Sequence, residues 1–335
     1  MHLRGIHHVT AVTGHAAHNV AFYTEVLGLR LVKKTVNQDD LSAYHLFYGD
    51  EAGHPGTEMT FFDWPQAIAN RPGRGTVAAT GLRVPGAALE RWVERFDTIG
   101  VAHEGIVERA GRRTLAFKDP EGQRLQFVDD VDGQAGTPWS SSPVAPELAV
   151  RGLGPITLDV ARPEPTARVL IDVLGFRQAG EYRAPEDGSV VRVYAVGDGG
   201  PGAEVSLALR SGAAVGQVGI GGVHHIAFRT PDEEEHRAWQ RRLAQAGLGV
   251  TSVIDRYYFR SIYFREPGGV LFEIATDGPG FAVDEDAAHL GEGLALPPFL
   301  EPKRAAIEAG LRPLPPVPGG AGIDLPLREV PAGAV

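Results

Sequence analysis

Apolar and polar residues alternate in short runs along most of the chain, and each group of runs is interrupted once by a stretch with helical spacing. The first group opens with an expected strand from Ile6 to Val12, bounded by Gly14. Val20, Tyr23 and Leu27 then recur at helical spacing, which predicts a helix over about Ala17–Leu27 with Gly28 as its C-terminal stop. Three short strands follow, at about Leu29–Thr35, Ser42–Tyr48 and Glu58–Phe62. The same order returns over Thr76–Asp129, with a helix at about Ala87–Ile99 and Gly100 behind it. It returns again over about Gly152–Leu209, and a last time over Gly222–Asp277, with a helix at Glu233–Ala246 and Gly247 behind it. The pattern predicts an α+β fold of four βαβββ units. A unit this small cannot bury its sheet alone, so pairs of units are expected to close around a shared concave surface.

The units are themselves arranged as a duplication. The segment Leu3-Arg4-Gly5-Ile6-His7-His8-Val9-Thr10 returns as Val150-Arg151-Gly152-Leu153-Gly154-Pro155-Ile156-Thr157. Glu25-Val26-Leu27-Gly28-Leu29-Arg30 returns as Asp172-Val173-Leu174-Gly175-Phe176-Arg177, and Asp119-Pro120-Glu121-Gly122 as Glu266-Pro267-Gly268-Gly269, always 147 positions on. Two duplicated domains are therefore expected, at 1–131 and 150–280, joined by a Gly/Ser/Pro-rich linker at 132–149. The tail 281–335 has Pro at 297, 298, 302, 313, 315, 316 and 318 and is expected to lie extended over the body, apart from a short helix near Pro302–Leu311. The tail offers no evident chemistry.

Composition narrows the function. A length of 335 residues suffices for two cores. The net charge of −10, with no Lys/Arg run, argues against a nucleic-acid partner. No apolar run approaches membrane-spanning length and no signal-peptide core opens the chain, so a cytoplasmic protein without a membrane partner is expected. With no cysteine, thiolate catalysis and Cys-ligated zinc are excluded, and any metal must be held by His and carboxylate, which suits iron, manganese, nickel or zinc.

The duplication is broken where such ligands would sit. His8 becomes Pro155 in the second copy, Glu273 was Gln126 in the first, and His225 falls where the first copy has Ala78 or Ala79. His8 and His225 occupy matching contexts on the opening strands of units one and four, Ile6-His7-His8-Val9-Thr10 and Val223-His224-His225-Ile226-Ala227. Glu273 lies in the last strand of unit four among Leu271, Phe272 and Ile274, where an ion is costly to bury unless something offsets the lost hydration. Singly, each has a plainer reading, a satisfied structural histidine or a salt-bridged acid. Together, with counterparts unable to bind metal, they form a candidate 2-His-1-carboxylate set that leaves coordination positions open, as in non-haem Fe(II) oxygenases. Strand alternation turns His7 and His224 away from that face, leaving packing or a surface role against a supporting role, whereas Thr10 shares a face with His8.

With His-His-Val-Thr, Glu25-Val26-Leu27-Gly28-Leu29-Arg30, His224-His225-Ile226-Ala227 and Glu266-Pro267-Gly268-Gly269-Val270-Leu271-Phe272-Glu273-Ile274 in this order, the chain resembles the vicinal oxygen chelate (glyoxalase/extradiol dioxygenase) superfamily. The stretches Lys34–Asp40 and Tyr44–Asp50 and the Pro-rich end resemble its hydroquinone ring-cleaving branch. The resemblance implies a glyoxalase fold and a non-haem iron, extradiol-type ring-cleaving dioxygenase acting on hydroquinone-type or related dihydroxylated aromatics with O₂. It implies Fe(II), or Mn(II) in its place, held by His8, His225 and Glu273, and a homodimer as a candidate assembly. It also sets Arg256 and Tyr263 beside the metal, where a guanidinium and a phenol suit developing oxyanion charge; the plain reading of Tyr257, Tyr258 and Tyr263 is ordinary strand residues. Phe62 and Trp64 suit either an aromatic pocket wall or core packing, and Asn37, Asp39 and Asp40 read as a polar turn. A glyoxalase-like isomerase is the first rival and expects a fourth ligand from unit one; aligning Gly56 with Gly269 puts Thr60 in that slot, with Glu58 two residues away on the same face, within reach of a register slip. A ligand-sequestering protein of the same fold is the second rival, and it would not require the triad.

Overall fold

The alternating runs fold as sixteen strands in a computed structural model, which describes residues 1–130 and 136–314. Unit one comprises β1 (Ile6–Thr13), α1 (Ala16–Ala21), β2 (Arg30–Asn37), β3 (Asp40–Gly49) and β4 (Glu58–Asp63). Unit two comprises β5 (Thr76–Val84), α2 (Leu89–Ile99), β6 (His103–Arg109), β7 (Arg112–Lys118) and β8 (Arg124–Asp129). Unit three comprises β9 (Gly152–Val160), α3 (Pro163–Arg168), β10 (Arg177–Arg183), β11 (Val190–Ala195) and β12 (Glu204–Leu209). Unit four comprises β13 (Val223–Thr230), α4 (Glu233–Gln245), β14 (Ile254–Asp255), β15 (Arg260–Arg265) and β16 (Leu271–Thr276).

The helices bury the stripes their spacing predicts. In α2 the buried residues are Leu89, Trp92 and Phe96; in α4 they are His236, Trp239 and Leu243. Asp232 caps α4 by accepting the Glu235 N–H at 2.9 Å. The first helix is shorter than expected as an α-helix, and its counterpart in the second half is equally short. α1 passes into a wider π turn over Phe22–Val26, and α3 does the same over Val169–Val173. Gly28 at φ +73° then reverses the chain; a Cβ there would also meet Ser142 and Val144.

The sheets do not follow the two sequence halves. One eight-stranded sheet runs β14-β15-β16-β13-β1-β4-β3-β2 and joins unit one to unit four. The other runs β10-β11-β12-β9-β5-β8-β7-β6 and joins unit two to unit three. The halves 1–131 and 150–280 are thus what is repeated, while each sheet is closed by one unit from each half. In the first sheet the two edges approach each other: Arg256, in the β14–β15 turn, reaches Asp39 at 2.8 Å in the β2–β3 turn, and Gln38 Nε2 donates to the Arg256 carbonyl at 2.8 Å. The sheet is therefore curled, and its inner face is where the chemistry-bearing residues gather.

The expected linker begins outside the described residues at 132–135; from Gly136 it runs along unit one, where Thr137 N–H donates to buried Asp50 and Ser142 Oγ to the Gly28 carbonyl. The tail has its expected short helix as α5 (Arg304–Gly310), while Pro315, Pro316 and Pro318 lie outside the described residues. Its first segment does more than cover the body. Phe281 packs on Phe47 and Tyr258, and buried Lys33 donates to the Phe281 carbonyl and pairs with Asp284 and Glu285. Among the described residues no helix is long and apolar enough to cross a membrane.

Candidate metal centre

Two β-bulges organise the inner face of the first sheet. β1 and β13 pair antiparallel, but the register slips between Ile6↔Phe228 and His8↔Ala227, leaving His7 as an extra residue on β1. It slips again between Thr10↔His225 and Ala11↔Val223, leaving His224 as the extra residue on β13. The expectation that alternation turns His7 and His224 away fails for this reason, because a bulge cancels the period of two. His7 is buried, and its Nδ1 lies 3.0 Å from His8 Nδ1. His224 Nδ1 lies 2.8 Å from His225 Nδ1, with its ring against Phe62 and Trp64.

His8, His225 and Glu273 come together. Their Nε2 atoms lie 3.3 Å apart, and Glu273 Oε2 is 2.9 Å from His225 Nε2 and 3.3 Å from His8 Nε2. All three are buried, Glu273 fully. Glu273 Oε2 is within hydrogen-bonding distance of both rings, yet neither carboxylate oxygen has a partner oriented to donate to it. Donor atoms that crowd together without aiming at one another suit a shared cation, and a divalent ion would supply the missing partner of the buried carboxylate. Burial opposes ionisation of Glu273, but His8 and His225 outweigh it and hold its carboxyl well below the usual range.

A chain of hydrogen bonds behind the triad sets which ring nitrogen of His8 is free. His7 Nε2 lies 3.1 Å from the Thr276 carbonyl, which can only accept, so His7 Nε2 carries the proton and His7 Nδ1 the lone pair. His8 Nδ1–H then donates to His7 Nδ1, and His8 Nε2 keeps its lone pair facing Glu273 and His225. Burial and His8 push the His7 pKa down, and burial with His225 pushes that of His224 down to about 3, so both rings are neutral at ordinary pH.

The other expected residues fall around this centre. Tyr263 stands directly opposite Glu273 in the β15–β16 register, its ring edge-on to His225, and the Arg256 guanidinium lies over the Tyr263 ring. Burial and the nearby Glu273 carboxylate push the Tyr263 phenol up, so it remains a donor. Thr10 Oγ1 is 2.7 Å from Thr60 Oγ1, which is 3.0 Å from His45 Nε2. The β1–β4 register sets His8 beside Glu58 and Thr10 beside Thr60, without a slip, and Thr60 occupies the slot that mirrors Glu273. Glu58 sits behind the triad, 3.8 Å from His7 Nδ1, and forms a second group of possible donors with His7 and His8. Burial, then Asp50, pushes its carboxyl well above the usual range.

A narrow cleft of about 40 Å³ opens over His8 and His225. Phe62 lines it, so this residue is wall rather than core, with Trp64 packed behind it. Asn37 and Gln38 also line it, and Asp39 holds Arg256; the polar turn is a turn, but one that positions a site residue. His45, Phe47 and Phe259 are lining residues that sequence reasoning passed over. His45 shares a face of β3 with Phe47, which does not by itself tell a cleft wall from a core. Burial, then the fields of His8 and His225, push its pKa well down.

In the second sheet the equivalent positions are Pro155, Ala79 and Gln126, because Thr157 pairs with Ala79 as Thr10 pairs with His225 and Gly81 pairs with Gln126 as Ala227 pairs with Glu273. Among the described residues no group of three His, Asp or Glu donors forms there.

The chain is 48% identical over 316 residues to the protein named "Putative ring-cleaving dioxygenase MhqA" of Bacillus subtilis, covering 94% of this chain and 100% of that one. It is 35% identical over 308 residues to the chlorohydroquinone/hydroquinone 1,2-dioxygenase of Sphingobium indicum, covering 89% and 93%. A solved structure from Bacillus subtilis, titled as that of a putative dioxygenase, superposes with a TM-score of 0.87 at 44% identity, covering 94% of this chain and 98% of that one. The model of one superfamily matches residues 5–127 and again 152–274, which are the two copies of the internal repeat. With that double match and these relatives, the chain belongs to the Glyoxalase/Bleomycin resistance protein/Dioxygenase superfamily.

Proposed function

We propose that this protein is an Fe(II)-dependent, extradiol-type ring-cleaving dioxygenase that acts on hydroquinone-type or related dihydroxylated aromatics with O₂. The observation that carries the reading is the convergence of His8 Nε2, His225 Nε2 and the hydrogen-bond-deficient Glu273 carboxylate at the floor of an aromatic-walled cleft. The relatives named for ring cleavage and for hydroquinone support the substrate class.

In this reading His8, His225 and Glu273 would hold the metal at the floor of the cleft. A bound divalent iron supplies the Lewis-acid and one-electron chemistry that lets a phenolate ring react with O₂. Everything else is work for side chains. His7 and His224 hold the two ligand imidazoles in the tautomer that leaves Nε2 free. Arg256 and the protonated Tyr263 phenol donate to oxyanion charge as it develops on the substrate. Phe47, Phe62 and Phe259 hold the ring and exclude water. Thr10 anchors the Thr60–His45 side of the cleft. The isomerase alternative lacks its fourth carboxylate, since Thr60 holds that slot and Glu58 lies behind His7.

The test is metal analysis of anaerobically purified protein together with O₂ uptake on a panel of hydroquinones and catechols. The expected result is about one iron per chain and one O₂ consumed per ring opened. Absence of O₂ uptake with every member of the panel, from protein with full iron, sinks the proposal.

A further inference from the structure

The second sheet lost the metal-binding residues but kept a cavity. Its volume is about 510 Å³, within the range of small-molecule sites and far larger than the cleft over the triad. The floor carries Gln126, which mirrors Glu273. Gln126 is 7% exposed, and its amide makes no hydrogen bond among the described residues. The amide is not sealed off from the cavity, so its donor and its acceptor both stand open to whatever enters.

The charges around it have one sign left over. Arg109 is tied to Glu186 and Thr114, and Arg210 to Asp159 and Asp187. Lys118 and Arg124 are different. They sit directly opposite each other in the β7–β8 register, both exposed, and neither makes a hydrogen bond or ion pair among the described residues, although the field of Arg124 reaches Asp159. Like charges directly across a ladder are unfavourable unless an anion lies between them. Arg124 and Gln126 share a face of β8, as Ala116 and Lys118 share a face of β7, so amide and cations point into the same space. Glu104 on the rim offsets part of this charge. The remaining wall is small and apolar, with Ala79, Val191 and Ala208, and the ring of Tyr182 closes one side.

We propose that this cavity binds a flat aromatic or unsaturated monocarboxylate, its carboxylate between Lys118 and Arg124, a polar substituent on the Gln126 amide, and its body along the alanines and Tyr182. The proposal does not depend on the chemistry of the metal centre, and the two sites lie on different sheets. Benzoate is the probe, with benzyl alcohol as its uncharged counterpart, followed by ligand-observed saturation-transfer NMR and titration on the full chain. Lys118→Glu/Arg124→Glu is built on exposed residues and should weaken benzoate at least tenfold; Gln126→Leu should weaken hydroxybenzoates more than benzoate. His8→Ala/Glu273→Ala should leave benzoate binding within twofold, and benzyl alcohol should bind at least tenfold more weakly to wild type. No transfer to benzoate, or binding unchanged by the double charge reversal, overturns the proposal. Loss of benzoate binding in His8→Ala/Glu273→Ala also overturns it, by moving the ligand to the metal cleft.

Discussion

At the residue scale, the site depends on which nitrogen of each imidazole is free. The Thr276 carbonyl orders His7, and His7 orders His8, so the lone pair that matters is set two residues away from the centre. His8→Ala, His225→Ala and Glu273→Ala are each expected to reduce bound iron below stoichiometric detection while leaving the far-ultraviolet circular dichroism unchanged, because the packing around them rests on Val9, Ile226 and Phe272. Full iron in any one of these variants would remove that residue from the ligand set. Tyr263→Phe and Arg256→Ala should keep iron and slow turnover by on the order of 10²–10³, measured as O₂ uptake at saturating substrate. Glu58→Gln should change neither iron content nor turnover appreciably. Loss of iron in that variant would favour a four-ligand isomerase instead. The three candidate ligands were legible in the sequence because a duplicated chain shows which residues its copies do not share. His45 was not, since nothing in one strand tells a wall residue from a core residue until the facing element is known.

At the element scale, the acidic turns at matching places in the two halves lock strands to helices. Asp119 accepts the backbone N–H groups of Glu121 and Gln123 and the Tyr23 hydroxyl; Glu266 accepts those of Gly268 and Val270 and the Thr166 hydroxyl. Each therefore ties a unit to the first helix of its neighbour. Burial pushes the Asp119 carboxyl up to about 7, so the folded state favours its neutral form. Its contribution to stability is complete below the ordinary value of 3.8 and is lost as pH rises toward 7. The loss is on the order of a few kcal/mol. Asp119→Asn keeps the acceptor for both backbone groups and removes the titration. Urea unfolding across pH 4–8 should show a falling stability in wild type and a flatter curve in the variant, with the variant more stable at pH 8; parallel curves would show that Asp119 does not titrate in this range. Apart from the π turn that ends α1, the helices and strands given bounds from the sequence were legible to within about two residues, but the bulges at His7 and His224 were not. A bulge is a property of a pair of strands, and the partner of β1 is β13, more than two hundred residues away.

At the scale of the whole molecule, the centre is assembled from the two ends of the duplication, His8 from unit one and His225 and Glu273 from unit four. A metal there would bridge the β1–β13 seam that joins the halves, and its binding would be felt as stability of the whole fold. At free metal near a thousand times its dissociation constant the gain is about 4.1 kcal/mol. Chelation should therefore lower the unfolding midpoint of wild type and leave Glu273→Ala unmoved; an equal shift in both would place the stabilising ion elsewhere. The sequence by itself determined the four βαβββ units, their duplication and the asymmetric residues, because periodicity and repetition are local or self-comparing properties. Periodicity and repetition alone left open whether units pair one with four and two with three, since a repeat with equivalent faces permits either closure; the triad split between units one and four was the single pointer to it. Only the tertiary structure showed the pairing itself, and with it the bulges, the Arg256–Asp39 contact across two sheet edges and the cavity left above Gln126, because each arises where strands remote in sequence meet.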